Sequence, residues 1–402
     1  MKPTRPQHGE DDLISTSQAA DLLGVRKQTI YAYVSRGLLE RVGGTTRHSG
    51  STFRRSQVQA LARRHHRPRA GTFELSIDTS ITYLDPSGRL LFRGRDAVDL
   101  AYHSDFETTA ELLWRAPTGD WAAGPIARDV AARASRAAVS GSAPARIRLA
   151  CEIASDSMEV DTVAHGDEAR SARILIVSAV QSLLPERAWS RPGKPLGIAE
   201  RLWSALADRA PRHDEIEVLR AALVLLADHE LATSSIATRA AASTGASIGH
   251  AVSAGLAAMA GARHGRASLL SERLLSRATE IGPCAALDAI DAAPAGFGHT
   301  VYRDVDPRAE HLLDRLSTLG SPTAPLVEEL ALEVLRRWRL VPNVDLALAA
   351  IVRELGLPSG AGEVVFMVSR MAGLAAHAME ERGQPMRFRP RAVYTGEQPS
   401  PD

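Results

Sequence analysis

Residues 240–262 read AAASTGASIGHAVSAGLAAMAGA, a run of 23 positions without a formal charge. Such a run is long enough to cross a bilayer, but its larger apolar groups are only Ile248, Val252, Leu256 and Met259. That is too little hydrocarbon for a membrane span, and His250 lies in its middle. Small residues instead let buried helices approach one another closely, so the run reads as one helix in the core of a soluble protein. The rest of the composition agrees. Aromatics are 4% of the 402 residues, so the core is built from Ala, Leu, Val and Ile, and Ala-rich runs such as Ala131–Ala138 favour helices over sheets. Hydrophobic residues at 45% and charged residues at 24% exclude wholesale disorder. Two cysteines, Cys151 and Cys284, cannot frame a disulfide scaffold and suit a reducing compartment. The first dozen residues lack an apolar segment, which argues against a secretory signal and for a cytoplasmic protein.

Outward from that run, 3.6-residue apolar periods cover Ala97–Tyr102, Thr108–Trp114, Ile126–Val139, Ala172–Leu183, Ile198–Asp208 and Asp214–His229. Before them, Ser76–Tyr83 and Gly88–Gly94 flank the turn Asp85-Pro86-Ser87-Gly88 and read as a β-hairpin. Strands and helices do not alternate, and no Gly-rich phosphate loop follows a strand. The body is mainly all-α with a minor hairpin.

Charge divides the chain. Residues 1–70 hold 13 Lys/Arg and 5 Asp/Glu, a balance of +8, and the remainder carries −7. A basic module on an acidic body suggests an anionic partner, with nucleic acid the first candidate. Ser15-Thr16-Ser17-Gln18 reads as a capping box opening a helix through Leu23. Gly24 turns the chain, and a second helix runs from Val25 to Arg36 and stops at Gly37. Ala20, Leu23, Val25, Ile30 and Val34 form a small core. Phe53-Arg54-Arg55, with Val58 and Leu61, closes a wing and a third helix. Arg26, Lys27, Gln28, Thr29 and Tyr31 fall where a recognition helix presents groups to DNA. The pattern resembles the winged helix-turn-helix of MerR-like and excisionase-like proteins. A small basic helical domain that contacts another protein is the plainer alternative. The module spans 1–62, a basic linker 63–71, and the body 72–402.

Three polar clusters interrupt the helical body: Asp228-His229-Glu230, Arg263-His264-Gly265, and Gly296-Phe297-Gly298-His299-Thr300-Val301-Tyr302-Arg303 followed by Asp306-Pro307-Arg308. A lone His near a helix end is usually a cap or a satisfied core residue. Glycines beside His264 and His299 let a ligand approach the backbone. Asp306-Pro307 also reads simply as an N-cap with Pro at the first helical position. The histidines lack the spacing of a helical metal motif, so no metal site is expected. Asp345, in Pro342-Asn343-Val344-Asp345, is either an N-cap or a base in a dry pocket. Arg370 and the segment Arg387–Arg391 suit carboxylates or phosphates.

Taken in order, with Thr79-Ser80-Ile81 through Phe92-Arg93-Gly94 at one end and Arg389-Pro390-Arg391 through Thr395-Gly396 at the other, these clusters resemble citrate synthase over residues 72–397. The resemblance implies condensation of acetyl-CoA or propionyl-CoA with oxaloacetate and hydrolysis to citrate or 2-methylcitrate plus CoA, without a resident cofactor. It assigns His264, His299 and Asp345 to catalysis. Oxaloacetate would be held by His229, Arg303 and Arg370, with Arg389 reaching across from a neighbouring subunit. It further implies a homodimer of a large helical domain and a small one at about 265–360.

The sequence departs from the family after His264, where Arg266 stands in place of a Gly, adding bulk and charge beside the thioester site. Two functions therefore compete. In one the body is an active synthase; in the other it is a metabolite-sensing domain that governs the DNA-binding module. The retained His264, His299 and Asp345 favour catalysis, because a sensor has no need of a base, whereas the basic module and Arg266 favour the sensor.

Overall fold

In the computed structural model the uncharged run is not one helix: its first three residues end the helix Thr233–Ala242, and Ile248–Met259 is a second. The structure describes residues 13–23, 25, 27–35, 38–42, 51–58, 61, 76–85, 88–137, 141–161, 167–185, 196–261, 264–382, 384 and 388. Helix Thr233–Ala242 ends at Ser243, Gly245 takes a φ of +87°, and Ser247 caps the helix Ile248–Met259 by accepting from the His250 N–H at 3.3 Å. A left-handed residue and an N-cap serine force the chain to turn back, and the two helices pack against each other. No described helix is long and apolar enough to cross a membrane.

The chain divides into two compact units, residues 1–78 and 79–402. In the first, the predicted capping box is present: Gln18 Oε1 accepts from Ser15 N at 2.9 Å and Ser15 Oγ from Gln18 N at 3.3 Å. Helices Thr16–Leu23 and Lys27–Ser35 follow it. Strand Thr52–Arg54 pairs antiparallel with Leu13–Ser15, so the wing residue Phe53 sits opposite Ile14. Ile14, Ala19, Ala20, Ile30, Leu39, Phe53, Val58 and Leu61 form the core, with Leu23, Val25 and Val34 against it. Arg26, the turn residue Gly24, Arg36, Gly37 and the linker 63–71 lie outside the described residues.

The second unit opens with the expected hairpin, Thr82–Leu84 against Leu90–Phe92, to which Arg95–Asp96 adds a third short strand. Pro86 and Ser87 of its turn lie outside the described residues. Helices then follow close to the apolar periods, at Ala97–His103, Phe106–Trp114, Pro125–Ala137, Glu168–Gln181, Ile198–Leu206 and His213–Leu225, and Ala143–Asp161 adds one that no period marked. After the alanine-rich pair come Ala267–Ile281, Pro283–Asp288, Pro307–Thr318, Thr323–Trp338, Val344–Glu354 and Ala361–Glu381. The last is the axis of the core. Its 21 residues are buried almost throughout, against helices Phe106–Trp114, Glu168–Gln181, His213–Leu225, Thr233–Ala242 and Ile248–Met259. Ala372, Gly373, Ala375 and Ala376 make that helix slim enough for such close neighbours, and Trp114 Nε1 donates to the Ala372 carbonyl at 2.9 Å.

Candidate active site

The loop joining helices Pro283–Asp288 and Pro307–Thr318 folds back on the segment before helix Val344–Glu354. Gly298 N donates to the Val341 carbonyl at 2.8 Å, Asn343 N to the Gly296 carbonyl at 2.9 Å, and Asn343 Nδ2 to the Gly298 carbonyl at 2.9 Å. Asn343 is also the N-cap, accepting from Asp345 N at 3.0 Å. The capping duty thus falls on Asn343, which leaves the Asp345 carboxylate free of it. Asp306 caps its own helix as expected from sequence, with Pro307 at the first position, and accepts from Val344 N at 3.2 Å as well. One buried carboxylate therefore ties two helix N-termini together.

The rings gather beside it. His229 Nε2 lies 3.1 Å from the Tyr302 hydroxyl, and the His299 ring stands 5.0 Å from His229 and 4.9 Å from Tyr302. His299 Nδ1 accepts from Val301 N at 3.1 Å and Tyr302 N at 3.4 Å. Those donors reserve the Nδ1 lone pair, so in the neutral ring the proton sits on Nε2. Arg308, fully buried, is gripped by Asp306 through Nε at 2.9 Å and Nη2 at 2.8 Å, and its guanidinium lies 5.4 Å over the Tyr302 ring.

A second group stands on the axial helix and the loop before Ala267–Ile281. His264 Nε2 lies 2.9 Å from the Oγ of Ser234, a fully buried residue in the first turn of Thr233–Ala242, and its ring is 5.9 Å from Phe366. Arg370 lies 4.8 Å over the same Phe366 ring and donates through Nε to the Leu226 carbonyl at 3.0 Å. Among the described residues no carboxylate forms an ion pair with it.

The two groups share one field. Burial, helped by Arg308 and Arg370, holds His229 well below its ordinary value. Burial with Arg370 brings His264 down to about 4, and burial with Arg308 brings His299 down to about 4. Burial lowers Arg370 to about 10, still a cation at neutral pH. Asp345 moves the other way: burial raises its carboxyl to about 6, against the pull of Arg308 and Arg370. The result is two cations, three neutral imidazoles and a weakened carboxylic acid. That set suits an anionic ligand and a proton transfer near neutral pH.

Of the residues singled out from sequence, His229, His264, His299, Asp345 and Arg370 belong to this set. Arg303 does not: its side chain is exposed, and the buried cation of the same loop is Arg308. Its signal was present in Asp306-Pro307-Arg308, but that triplet reads as a helix start. Ser234 and Phe366 were also missed as site residues, since nothing in their local sequence marks them, and Tyr302 lay within the third polar cluster but was given no role. Arg389 and Arg263 lie outside the described residues. Arg266 is exposed and occupies the N-cap of Ala267–Ile281.

Residues 73–391 match the family model described as "Citrate synthase, C-terminal domain", about four-fifths of the chain. The chain belongs to the citrate synthase family. Residues 13–66 match a helix-turn-helix domain family. Among relatives, citrate synthase 2 of Bacillus subtilis is 34% identical over 217 residues, an alignment covering 51% of this chain and 58% of that protein. The citrate synthase of Haloferax volcanii is 29% identical, covering 80% of this chain and 94% of that one. The 2-methylcitrate synthase of Mycobacterium tuberculosis is 27% identical over 79% and 88% respectively. The fold is likewise that of solved citrate synthases. One is a ternary complex of the Thermoplasma acidophilum protein with carboxymethyl coenzyme A and oxaloacetate, at a TM-score of 0.63 and 21% identity over 80% of this chain and 94% of that one.

Proposed function

We propose that the chain condenses an acyl-CoA, acetyl or propionyl, with oxaloacetate and hydrolyses the thioester to release CoA and citrate or 2-methylcitrate. The observation that carries this reading is Asp345, a carboxylate held near pKa 6 in the field of two arginines and three neutral histidines. The α-proton of a thioester is weakly acidic. Its removal needs a base that is ionised at neutral pH and a donor on the oxygen that gains charge. Asp345 is the base of this proposal. Where Ser234 donates to His264 Nε2, the neutral ring keeps its proton on Nδ1 and offers it to the thioester oxygen. His299, protonated on Nε2, donates to the oxaloacetate carbonyl as the enol carbon attacks. Arg308 takes the place that the resemblance assigned to Arg303: with Arg370 and His229 it binds the oxaloacetate carboxylates. The reaction so written uses side chains alone, with no resident cofactor. A cytoplasmic homodimer with Arg389 supplied across the interface completes the reading.

The test is CoA thiol release by the purified protein with oxaloacetate, comparing acetyl-CoA and propionyl-CoA. Release that depends on oxaloacetate and falls by at least about a hundredfold in Asp345→Asn is the expected result. Folded protein that binds oxaloacetate but releases no thiol overturns it, and leaves a sensor domain. A second activity is supported by the helix-turn-helix unit, whose Lys27, Gln28 and Tyr31 are exposed on the helix after the turn. We infer that this unit binds DNA.

A further inference from the structure

Helix Ala361–Glu381 carries Phe366, Arg370, Gly373, His377 and Glu381 at intervals of four, three, four and four. That spacing is one stripe of an α-helix. Its first two members belong to the candidate site; the rest lead away from it into the core. His377, fully buried, places Nε2 3.2 Å from Asp228 Oδ1, while its Nδ1 accepts from Arg239 Nε at 3.0 Å. Arg239, also fully buried, donates through Nη1 to Glu381 at 2.8 Å and through Nη2 to Thr79 at 3.2 Å and to Glu380. A guanidinium only donates, so Nδ1 of His377 keeps its lone pair and the ring proton sits on Nε2, the nitrogen that stands 3.2 Å from Asp228 Oδ1. That approach is a close polar contact of two buried atoms rather than an aligned hydrogen bond.

The other Asp228 oxygen accepts from Glu230 N at 2.9 Å. Glu230 has a φ of 56°, a left-handed conformation that a glutamate adopts only when its surroundings impose it. His229 is the residue between them. Its peptide neighbours are pinned from the other side too, because Gly373 N donates to the Ala227 carbonyl at 2.9 Å.

We propose that Asp228 and His377 are positioning residues that lock the turn carrying His229 and so fix where its ring meets the substrate. Arg239 sets the tautomer of His377, the His377 ring stands against the Asp228 carboxylate, and Asp228 holds the strained Glu230 peptide. The kinetic consequence rests on the oxaloacetate reading of the site; the structural consequence does not.

Asn at 228 removes the charge that faces His377 and keeps one oxygen, so Asp228→Asn keeps shape but must give up either the polar approach to His377 or the Glu230 N–H hydrogen bond. The experiment records ring nitrogen signals of His229 by long-range 1H–15N NMR on histidine-labelled full-length protein, together with steady-state kinetics. In Asp228→Asn the His229 signals shift or broaden. The oxaloacetate KM rises about tenfold or more, the acyl-CoA KM stays within about twofold, and the melting temperature holds. His377→Leu gives the same pattern, and His377→Gln, which retains a donor and an acceptor, recovers most of the loss. Unchanged His229 signals in both Asp228→Asn and His377→Leu overturn the proposal, as does a parallel rise of both KM values with a fallen melting temperature, the mark of a general structural defect. If the wild-type protein does not turn over oxaloacetate, the functional reading fails, and the His229 spectra still decide the positioning.

Discussion

Asp345 shows how a single residue can carry opposed demands. The sequence left it as an N-cap or a buried base, and Asn343 took the cap, so its carboxylate does no capping and the charges of Arg308 and Arg370 are what favour its ionised form. Burial raises it from 3.8 to about 6, and a raised acid binds its proton more tightly folded than unfolded. Its contribution to stability is therefore fully present below pH 4, is lost as pH climbs through 6, and stays lost above. Two units correspond to up to about 3 kcal/mol. Asp345→Asn, which has no charge to bury, is expected to match the wild type in stability near pH 4. It should then exceed it by an amount that grows to a plateau above pH 6. Denaturant midpoints measured from pH 4 to 8 check this. A difference that does not vary with pH would show that the carboxylate is not strained by burial, and would remove the reason for its reactivity.

At the scale of elements, periodicity made six helices between Ala97 and Leu225 legible, because apolar spacing is a local signal. The break at 243–247 was not, since small residues carry no periodic contrast on either side of it. Arg308 was hidden by the other role its triplet plays, and the resemblance carried the oxaloacetate role to Arg303 of the same loop instead. The chain Asp228–His377–Arg239–Glu381 was invisible for a different reason: its members meet by tertiary packing over 142 positions between Arg239 and Glu381 alone. Gly373 is the contact where the axial helix presses on that chain. A methyl there would come 2.2 Å from Asp228 Oδ1 and 2.5 Å from the Ala227 carbonyl. Alanine is the better helix former, so propensity alone predicts that Gly373→Ala stabilises. The contact predicts instead a loss of about 3 kcal/mol, because the obstructing atoms include backbone and a buried carboxylate. Thermal unfolding separates the two, and an unchanged or raised melting temperature would show that the Ala227–Asp228 turn yields.

The whole molecule joins a basic unit to an acidic enzyme-like body. The +8 balance of residues 1–70 has no counterpart in the body's needs, and the helix-turn-helix match gives that charge a use. Within the unit, Ile30 turns inward to the core while Lys27, Gln28 and Tyr31 face out, and Arg41 lies 5.7 Å over the Tyr31 ring. Helical spacing thus separates a packing face from a polar one, as a recognition helix requires. Phosphate contacts release counterions, so affinity for duplex DNA should fall steeply with salt, with a slope of about 0.9 per contact on logarithmic axes. Lys27→Ala is expected to weaken binding at low salt and to reduce that slope by about one, whereas Gln28→Ala should change sequence preference and leave the slope intact. Fluorescence anisotropy over a salt series measures both. Binding that survives Lys27→Ala with the same affinity and slope would place the DNA elsewhere, and absence of binding at low salt would leave the unit as a protein-contacting domain. Oxaloacetate and acyl-CoA added to the same titration connect the units: a shift in DNA affinity makes the body a sensor in addition to the proposed synthase, and no shift means that the two proposed activities share only a chain.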